Sequence, residues 1–243
     1  MTSDDSDIVG REYRQGKVAY GFQWNRSNHQ ALGNTQGDLA ALWAHLESAT
    51  RGTIPEIPFA DPFYTRASSL KLVKMSPASH VGFRRRLMKS GNIRKSVDND
   101  LVTMIRDFHR AIDDLSYCAD HGILKEFLSK DPMTLAIEVP VWSDHYQLSG
   151  HIDLVRYSEA MIQVCDYKPG PLESTKKRFF DSLPQVSAYG EMMTYHLAST
   201  LRSALDAPIL PRVSCCIFDS HSSWHFGSEL FVTLEKTGKI DGF

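Results

Sequence analysis

Much is missing from this chain of 243 residues, and each absence narrows what it does. No apolar run approaches the roughly 20 residues of a membrane-spanning helix. The opening MTSDDSDIVG is acidic and polar, so no secretory signal is expected there. Cysteine is scarce, and Cys118, Cys165, Cys215 and Cys216 show no CxxC spacing. That argues against a disulfide framework and for a reduced, cytoplasmic protein. Cys215 and Cys216 are adjacent on an expected strand and point to opposite faces, which favours packing over shared metal binding. Internal repeats, a Gly-rich phosphate loop and a GxSxG motif are all lacking. The net charge of −2 excludes an overall basic coat for nucleic acid. One absence is local. From Arg66 to Val97 there is no acid, while Lys71, Lys74, Arg84, Arg85, Arg86 and Lys89 fall inside that span. Such a block suggests a patch facing a polyanion, the alternative being a solvated helix face. Arg84, Arg85 and Arg86 are its centre, though successive helical residues lie about 100° apart and cannot all face one ligand.

What is present is concentrated between Leu148 and Lys168, in LSGHIDLVRYSEAMIQVCDYK. The apolar runs Leu148–Val155 and Met161–Cys165 have the length and β-branched content of strands. The polar break Tyr157-Ser158-Glu159-Ala160 is short enough for a hairpin. Asp153 lies inside the first run, and Asp166 and Lys168 close the second. Charge at such positions is costly inside a sheet unless something pairs with it or binds it. Side chains two apart on a strand share a face, so Asp166 and Lys168 point the same way. A hairpin folded about residues 159–160 sets Asp153 across from Asp166, with Cα atoms about 4.5–5.5 Å apart. Carboxylates that close repel unless one protonates or a divalent cation binds both. Oxygen-only ligation suits Mg²⁺, which takes one or two carboxylates together with waters and substrate phosphate. Lys168 is then placed to meet a phosphate or an attacking water. The alternative is a hairpin with stray charges at a strand end.

Residues 1–65 are expected to be an N-terminal extension: an arm or irregular strand pair over 1–37, a helix over Asp38–Thr50 and a proline-rich loop over 51–64. The domain proper is expected over 66–243. Ser76-Pro77-Ala78-Ser79 opens a helix that runs to about Lys89. A second helix, capped by Asp98 or Asn99, carries the stripe Leu101, Met104, Ile105, Phe108, Ile112 and Leu115 to about Ala119, with His109 beside it. A short helix over Ile123–Leu128 precedes a strand over Thr134–Val141, whose apolar run Glu138 interrupts. The hairpin follows, then the break Pro169-Gly170-Pro171. A helix from Ser182 to about Leu205 places Gln185 and Tyr189 on one face. Val213–Phe218 and Phe226–Leu234 read as strands, joined by a turn holding His221 and His225. The order predicts an α/β fold. An antiparallel three-strand meander gains a fourth strand by helical crossover, and helices flank the mixed sheet.

The series Ser76-Pro77-Ala78-Ser79, His109, Glu138, Gly150-His151-Ile152-Asp153, Asp166-Tyr167-Lys168 and Gln185-Val186-Ser187-Ala188-Tyr189 resembles the PD-(D/E)XK nuclease superfamily. Within it the likeness is to the RecB-like branch, which includes the CRISPR-associated RecB-like exonucleases. It covers about residues 75–195. The resemblance implies a restriction-endonuclease-like core and Mg²⁺- or Mn²⁺-dependent hydrolysis of DNA in repair, recombination or defence. It implies Asp153 and Asp166 as metal ligands, with His109 and the Tyr167 carbonyl as further ones. Lys168 would orient water or stabilise phosphate, and Glu138 would orient the site. Gln185 and Tyr189 would contact DNA or brace the strands. The chain departs from the branch in one respect. Arg84–Arg86 stand where a first cluster cysteine would be, and Cys215-Cys216 have the wrong spacing, so no iron–sulfur cluster is expected. The implied partner is DNA, single-stranded or at duplex ends, and no membrane. Two other readings stand: a nuclease-fold protein that binds DNA without cutting it, and an unrelated α/β protein with an incidental hairpin.

Overall fold

The computed structural model describes residues 7–36, 39–111, 122–169, 172, 178–202 and 211–242. The chain opens with the hairpin β1 (Ile8–Gln15) and β2 (Val18–Asn25), then α1 (Arg26–Gln36) and α2 (Ala40–Arg51). The short α3 (Ile57–Ala60) and β3 (Thr65–Arg66) lead through a 3₁₀ turn at Ala67–Ser69 to β4 (Lys71–Leu72). Next come α4 (Pro77–Lys89), β5 (Ile93–Ser96), α5 (Asp100–Ala111) and α6 (Ile123–Lys130). The strands β6 (Thr134–Ser143), β7 (Leu148–Ser158) and β8 (Met161–Tyr167) precede the long helix α7 (Arg178–Arg202). β9 (Arg212–Phe218), β10 (Ser223–Gly227), α8 (Leu230–Lys236) and β11 (Ile240–Asp241) follow.

Among the described residues, nine strands form one mixed sheet ordered β1-β2-β6-β7-β8-β9-β10-β5, with β3 beside β7. β6, β7 and β8 are the antiparallel meander. α7 then crosses over, and β9 pairs with β8 in parallel. The β7–β8 turn is made by Glu159 and Ala160, with φ of 54° and 57°. Positive φ at both positions is what a two-residue hairpin needs to match the twist of its strands.

Alternation sorts the side chains into two layers. Val155, Ile162 and Val164 pack with Ala188, Met192 and Met193 of α7 and Leu42 and Leu46 of α2. Leu154, Cys165 and Phe218 face the other way, onto Leu101, Ile105 and Phe108 of α5 and Phe127 of α6. Each fully buried side chain of this kind contributes about 1.5–3 kcal/mol. Cys215 and Cys216 fall on opposite faces, as adjacent strand residues must. The expected caps at two helix starts are present. Ser76 Oγ accepts from the Ser79 amide at 3.2 Å, and Asn99 Oδ1 accepts from the Val102 amide at 3.0 Å.

Several local expectations are corrected. Residues 8–25 form a regular hairpin, and β2 pairs with β6 through Gln23↔Ile137 and Trp24↔Ala136. Sheet and core therefore run straight across the boundary expected at residue 65, with Phe22, Trp24 and Leu42 in one cluster with Val155 and Tyr189. Ile93–Ser96 is a strand, β5, on the far edge of the sheet. The strand expected over Phe226–Leu234 is instead the end of β10 followed by α8. Leu230, Phe231 and Leu234 recur at helical spacing and are all buried. The expectations for Asp38, Ile112, Leu115 and Cys118 lie outside the described residues.

Buried histidines give the fold a pH dependence, and three of them lie outside the lining of the cavity described below. His29 Nδ1 accepts from Trp24 Nε1 at 3.1 Å, His45 Nε2 donates to the Pro140 carbonyl at 3.0 Å, and His196 Nε2 accepts from the Trp142 amide at 3.1 Å. Burial lowers all three pKa values, those of His29 and His45 to about 4. Above about pH 6.5 they are neutral in folded and unfolded chains alike and contribute no pH dependence. Below it the unfolded chain binds protons that the folded chain refuses, so stability falls as pH drops from about 6.5 toward 4. At pH 5.5 the loss should be about 1.4 kcal/mol for each such histidine. The melting temperature should therefore fall steadily between pH 7.5 and 5.5. A flat profile over that range would show that the imidazoles are not held neutral.

Candidate active site

β7 is paired with β6 from Leu148 to Arg156. On its other flank β8 pairs with Leu154–Ser158 and β3 with Leu148 and Ser149. Among the described residues no strand covers Gly150–Asp153 on that flank. A cavity of about 190 Å³ opens there, lined by Gly150, His151 and Asp153.

Glu138, Asp153 and Asp166 all line it. The pairs Ile137↔Leu154 and Val139↔Ile152 set Glu138 opposite Asp153. Continuing Leu154↔Cys165 by one residue sets Asp166 on the other side of Asp153. Three carboxylates on neighbouring strands thus stand at one level of the sheet. Glu138 has a φ of 52°, left-handed inside a strand. That conformation costs a non-glycine residue on the order of 1–3 kcal/mol, and such strain concentrates at functional sites. Asp153 Oδ2 accepts the Tyr167 amide N–H at 3.0 Å, which fixes the carboxylate.

Lys168 points the same way as Asp166, and its Nζ lies 3.1 Å and 2.8 Å from the two carboxylate oxygens. Burial works against the ammonium, but the charges of Asp166 and Asp153 outweigh it and raise its pKa. Lys168 is therefore a fixed cation and no base near neutral pH. Lys168 and Arg66 stand against three carboxylates, so the lining carries one negative charge in excess. Among the described residues, no three His, Cys, Asp or Glu side chains gather closely enough to hold a metal by themselves. Mg²⁺ asks for less: one or two carboxylates, with water and substrate phosphate completing the shell. Asp153 and Asp166 meet that requirement.

Gln185 and Tyr189 sit one turn apart on α7, and Gln185 Nε2 donates to Tyr189 Oη at 3.1 Å. Burial holds the Tyr189 phenol protonated, with its pKa far above the usual range. Its ring lies against the backbone of Gly150, where an added Cβ would come within 2.5 Å of Cε1. Gly150 is thus required by a close approach, and Tyr189 braces β7 just before Asp153.

Other expected residues lie elsewhere. His109 is not among the lining residues. α5 packs on the face of Leu154 and Cys165, whereas Asp153 and Asp166, one position along each strand, point to the opposite face. His109 is therefore not brought to the cavity with Asp153 and Asp166. Its pKa is lowered by burial and by the nearby His221. The Tyr167 ring packs toward Phe218, while its backbone stays beside the cavity, the amide N–H meeting Asp153. Arg84, Arg85 and Arg86 do not line the cavity. The Arg84 guanidinium lies over the Trp224 ring, 4.8 Å from its centre, while Arg85 and Arg86 are exposed. α4 itself packs on the start of α7 through Phe83 against Phe180.

Sequence reasoning gave no site role to Gln15, Tyr20, Ser68 or His151, which line the cavity too, together with Arg66 from the head of the basic block. Gln15 Nε2 donates to Ser149 Oγ at 2.8 Å, and Arg66 donates to the Tyr20 hydroxyl. Tyr20 stacks on His151 with ring centres 3.8 Å apart. Burial, with the Arg66 charge beside it, lowers the His151 pKa to about 3. The one available signal was the place of His151 inside Gly150-His151-Ile152-Asp153. Gln15 and Tyr20 arrive only through the pairing of the N-terminal hairpin with β6. The chain matches no protein-family model and no curated protein. No helix among the described residues is long and apolar enough to cross a membrane.

Proposed function

We propose that the chain is a Mg²⁺- or Mn²⁺-dependent nuclease that hydrolyses DNA phosphodiester bonds, built on a restriction-endonuclease-like core of the RecB-like kind. One observation carries this reading. Glu138, Asp153, Asp166, Lys168, Gln185 and Tyr189 converge on a single cavity from β6, β7, the end of β8 and α7. Asp153 and Asp166 would hold the metal, which when bound lowers the pKa of a water and offsets charge on the phosphate. Lys168 supplies a permanent positive charge for phosphate oxygens. Glu138 flanks Asp153, and the Tyr167 amide fixes the Asp153 carboxylate. The Gln185–Tyr189 pair holds β7 in register with α7. Arg85 and Arg86, exposed on a helix packed against the start of α7, extend the DNA path beyond the cavity through phosphate contacts that carry no base information.

End-labelled single-stranded and duplex DNA should be shortened by the protein in Mg²⁺ or Mn²⁺ and left intact in EDTA. DNA that stays intact in all three conditions, or is cut equally in EDTA, overturns the proposal.

A further inference from the structure

His151 lies two residues before Asp153 on β7, so the two side chains share a face, and both line the cavity. It is 4% exposed, and neither ring nitrogen has a hydrogen-bond partner among the described residues. Aromatic rings hold it in place: Tyr20 stacks on it at 3.8 Å, and the Phe59 ring stands 5.3 Å away. A buried polar group left without a partner costs about 1–3 kcal/mol. An imidazole always has at least one N–H to give. Arg66 lines the same cavity and is tied to the hydroxyl of that same Tyr20.

Resting on the nuclease reading, we propose that His151 and Arg66 form a second phosphate subsite, for the phosphate adjoining the one cut at Asp153 and Asp166. Two strand residues advance about 6.7 Å, the scale of one step between neighbouring phosphates in an extended strand. A guanidinium matches the oxygens of a phosphate with paired N–H groups, and an imidazole N–H adds a third donor. The carboxylates lie on the Asp153 side of this pair, so the anion is drawn to one end of the cavity and the cation to the other. The ligand class is a phosphodiester chain carrying at least two phosphates.

The test is binding of a thymidine octanucleotide, by calorimetry in EDTA, to protein carrying Asp166→Asn. That background removes the excess negative charge and needs no metal. His151→Phe keeps the ring stack and loses both nitrogens. It should weaken binding about tenfold, the equivalent of one hydrogen bond to a charged group. Arg66→Ala should weaken binding by at least as much, and His151→Asn, which keeps an N–H, should recover part of the loss. Thermal melts identify the folded variants. Undetectable binding by the background protein, or unchanged binding by folded His151→Phe and Arg66→Ala, overturns the subsite. The two readings fail separately. If the wild-type protein cuts nothing yet binding responds to these changes, the nuclease reading falls and the phosphate site stands. If His151→Phe cuts DNA with unchanged KM, the subsite falls and the nuclease reading stands.

Discussion

Lys168→Ala should lower the rate of DNA cleavage by about 10²- to 10³-fold, the usual consequence of removing one charge that stabilises a transition state. A second effect should appear with no substrate present. Asp166 is fully buried, and Lys168 is the cation 2.8 Å from it. Deleting one partner of a buried pair leaves an uncompensated charge, at a cost of about 3 kcal/mol or more. The metal-free Lys168→Ala protein should therefore melt at a lower temperature than the wild type. Mn²⁺ should raise its melting temperature by more than it raises that of the wild type, because a bound cation replaces the missing ammonium. Asp166→Asn should share the loss of cleavage but show little stabilisation by Mn²⁺. Activity on end-labelled DNA and melting curves with and without Mn²⁺ separate the three proteins. Wild-type activity in Lys168→Ala, or full stabilisation of Asp166→Asn by Mn²⁺, would sink this account of the site.

The part of the site that was legible in sequence is the part fixed by a tight turn. A turn at residues 159–160 dictates which β7 residue faces which β8 residue, and Asp153 and Asp166 follow from it. His109 shows the limit. Periodicity reveals which face of α5 is apolar, but not which face of the sheet receives it. That choice rests on the alternation of Leu154 and Cys165 against Asp153 and Asp166, and it sends α5 to the far side. The N-terminal hairpin was hidden by its composition. In β2 only Phe22 and Trp24 are fully buried, with Gly21 and Gln23 alternating with them, and its partner β1 carries Arg11, Glu12 and Arg14. Its role became visible only once β6 was in place to receive it.

The same blindness to tertiary pairing explains Arg156, and it leads to the largest expected loss of stability. A charge after Leu148–Val155 reads as the end of a strand, yet β7 continues to Ser158. Arg156 is 1% exposed there and paired with two carboxylates: Nε donates to Asp131 Oδ2 at 2.7 Å, and Nη2 to Asp100 Oδ2 at 2.6 Å. Asp131 also accepts from the Met133 amide and the Thr134 hydroxyl, so one guanidinium fastens the start of α5, the α6–β6 connection and β7 together. Burial would raise the Asp100 pKa, but its hydrogen bond to Arg156 and the guanidinium charge win and hold it below the usual carboxylate range. That contribution is complete above the unfolded carboxylate pKa and is lost only as pH falls through the lower folded value. Arg156→Ala removes the cation and leaves Asp131 buried, at a cost of about 3–5 kcal/mol. Arg156→Met should cost nearly as much, because the chain is restored but the charge is not. Adding Asp131→Asn to Arg156→Met should recover a substantial part, since the stranded carboxylate is gone, and the two changes should be strongly non-additive. Chemical denaturation of Arg156→Met, Asp131→Asn and the double variant beside the wild type measures this cycle, with Arg156→Ala measured alongside. The network lies on the sheet face away from the cavity, so cleavage per folded molecule should not change. Simple additivity in the cycle, or a loss from Arg156→Ala below about 1 kcal/mol, would mean that solvent rather than Arg156 compensates Asp131.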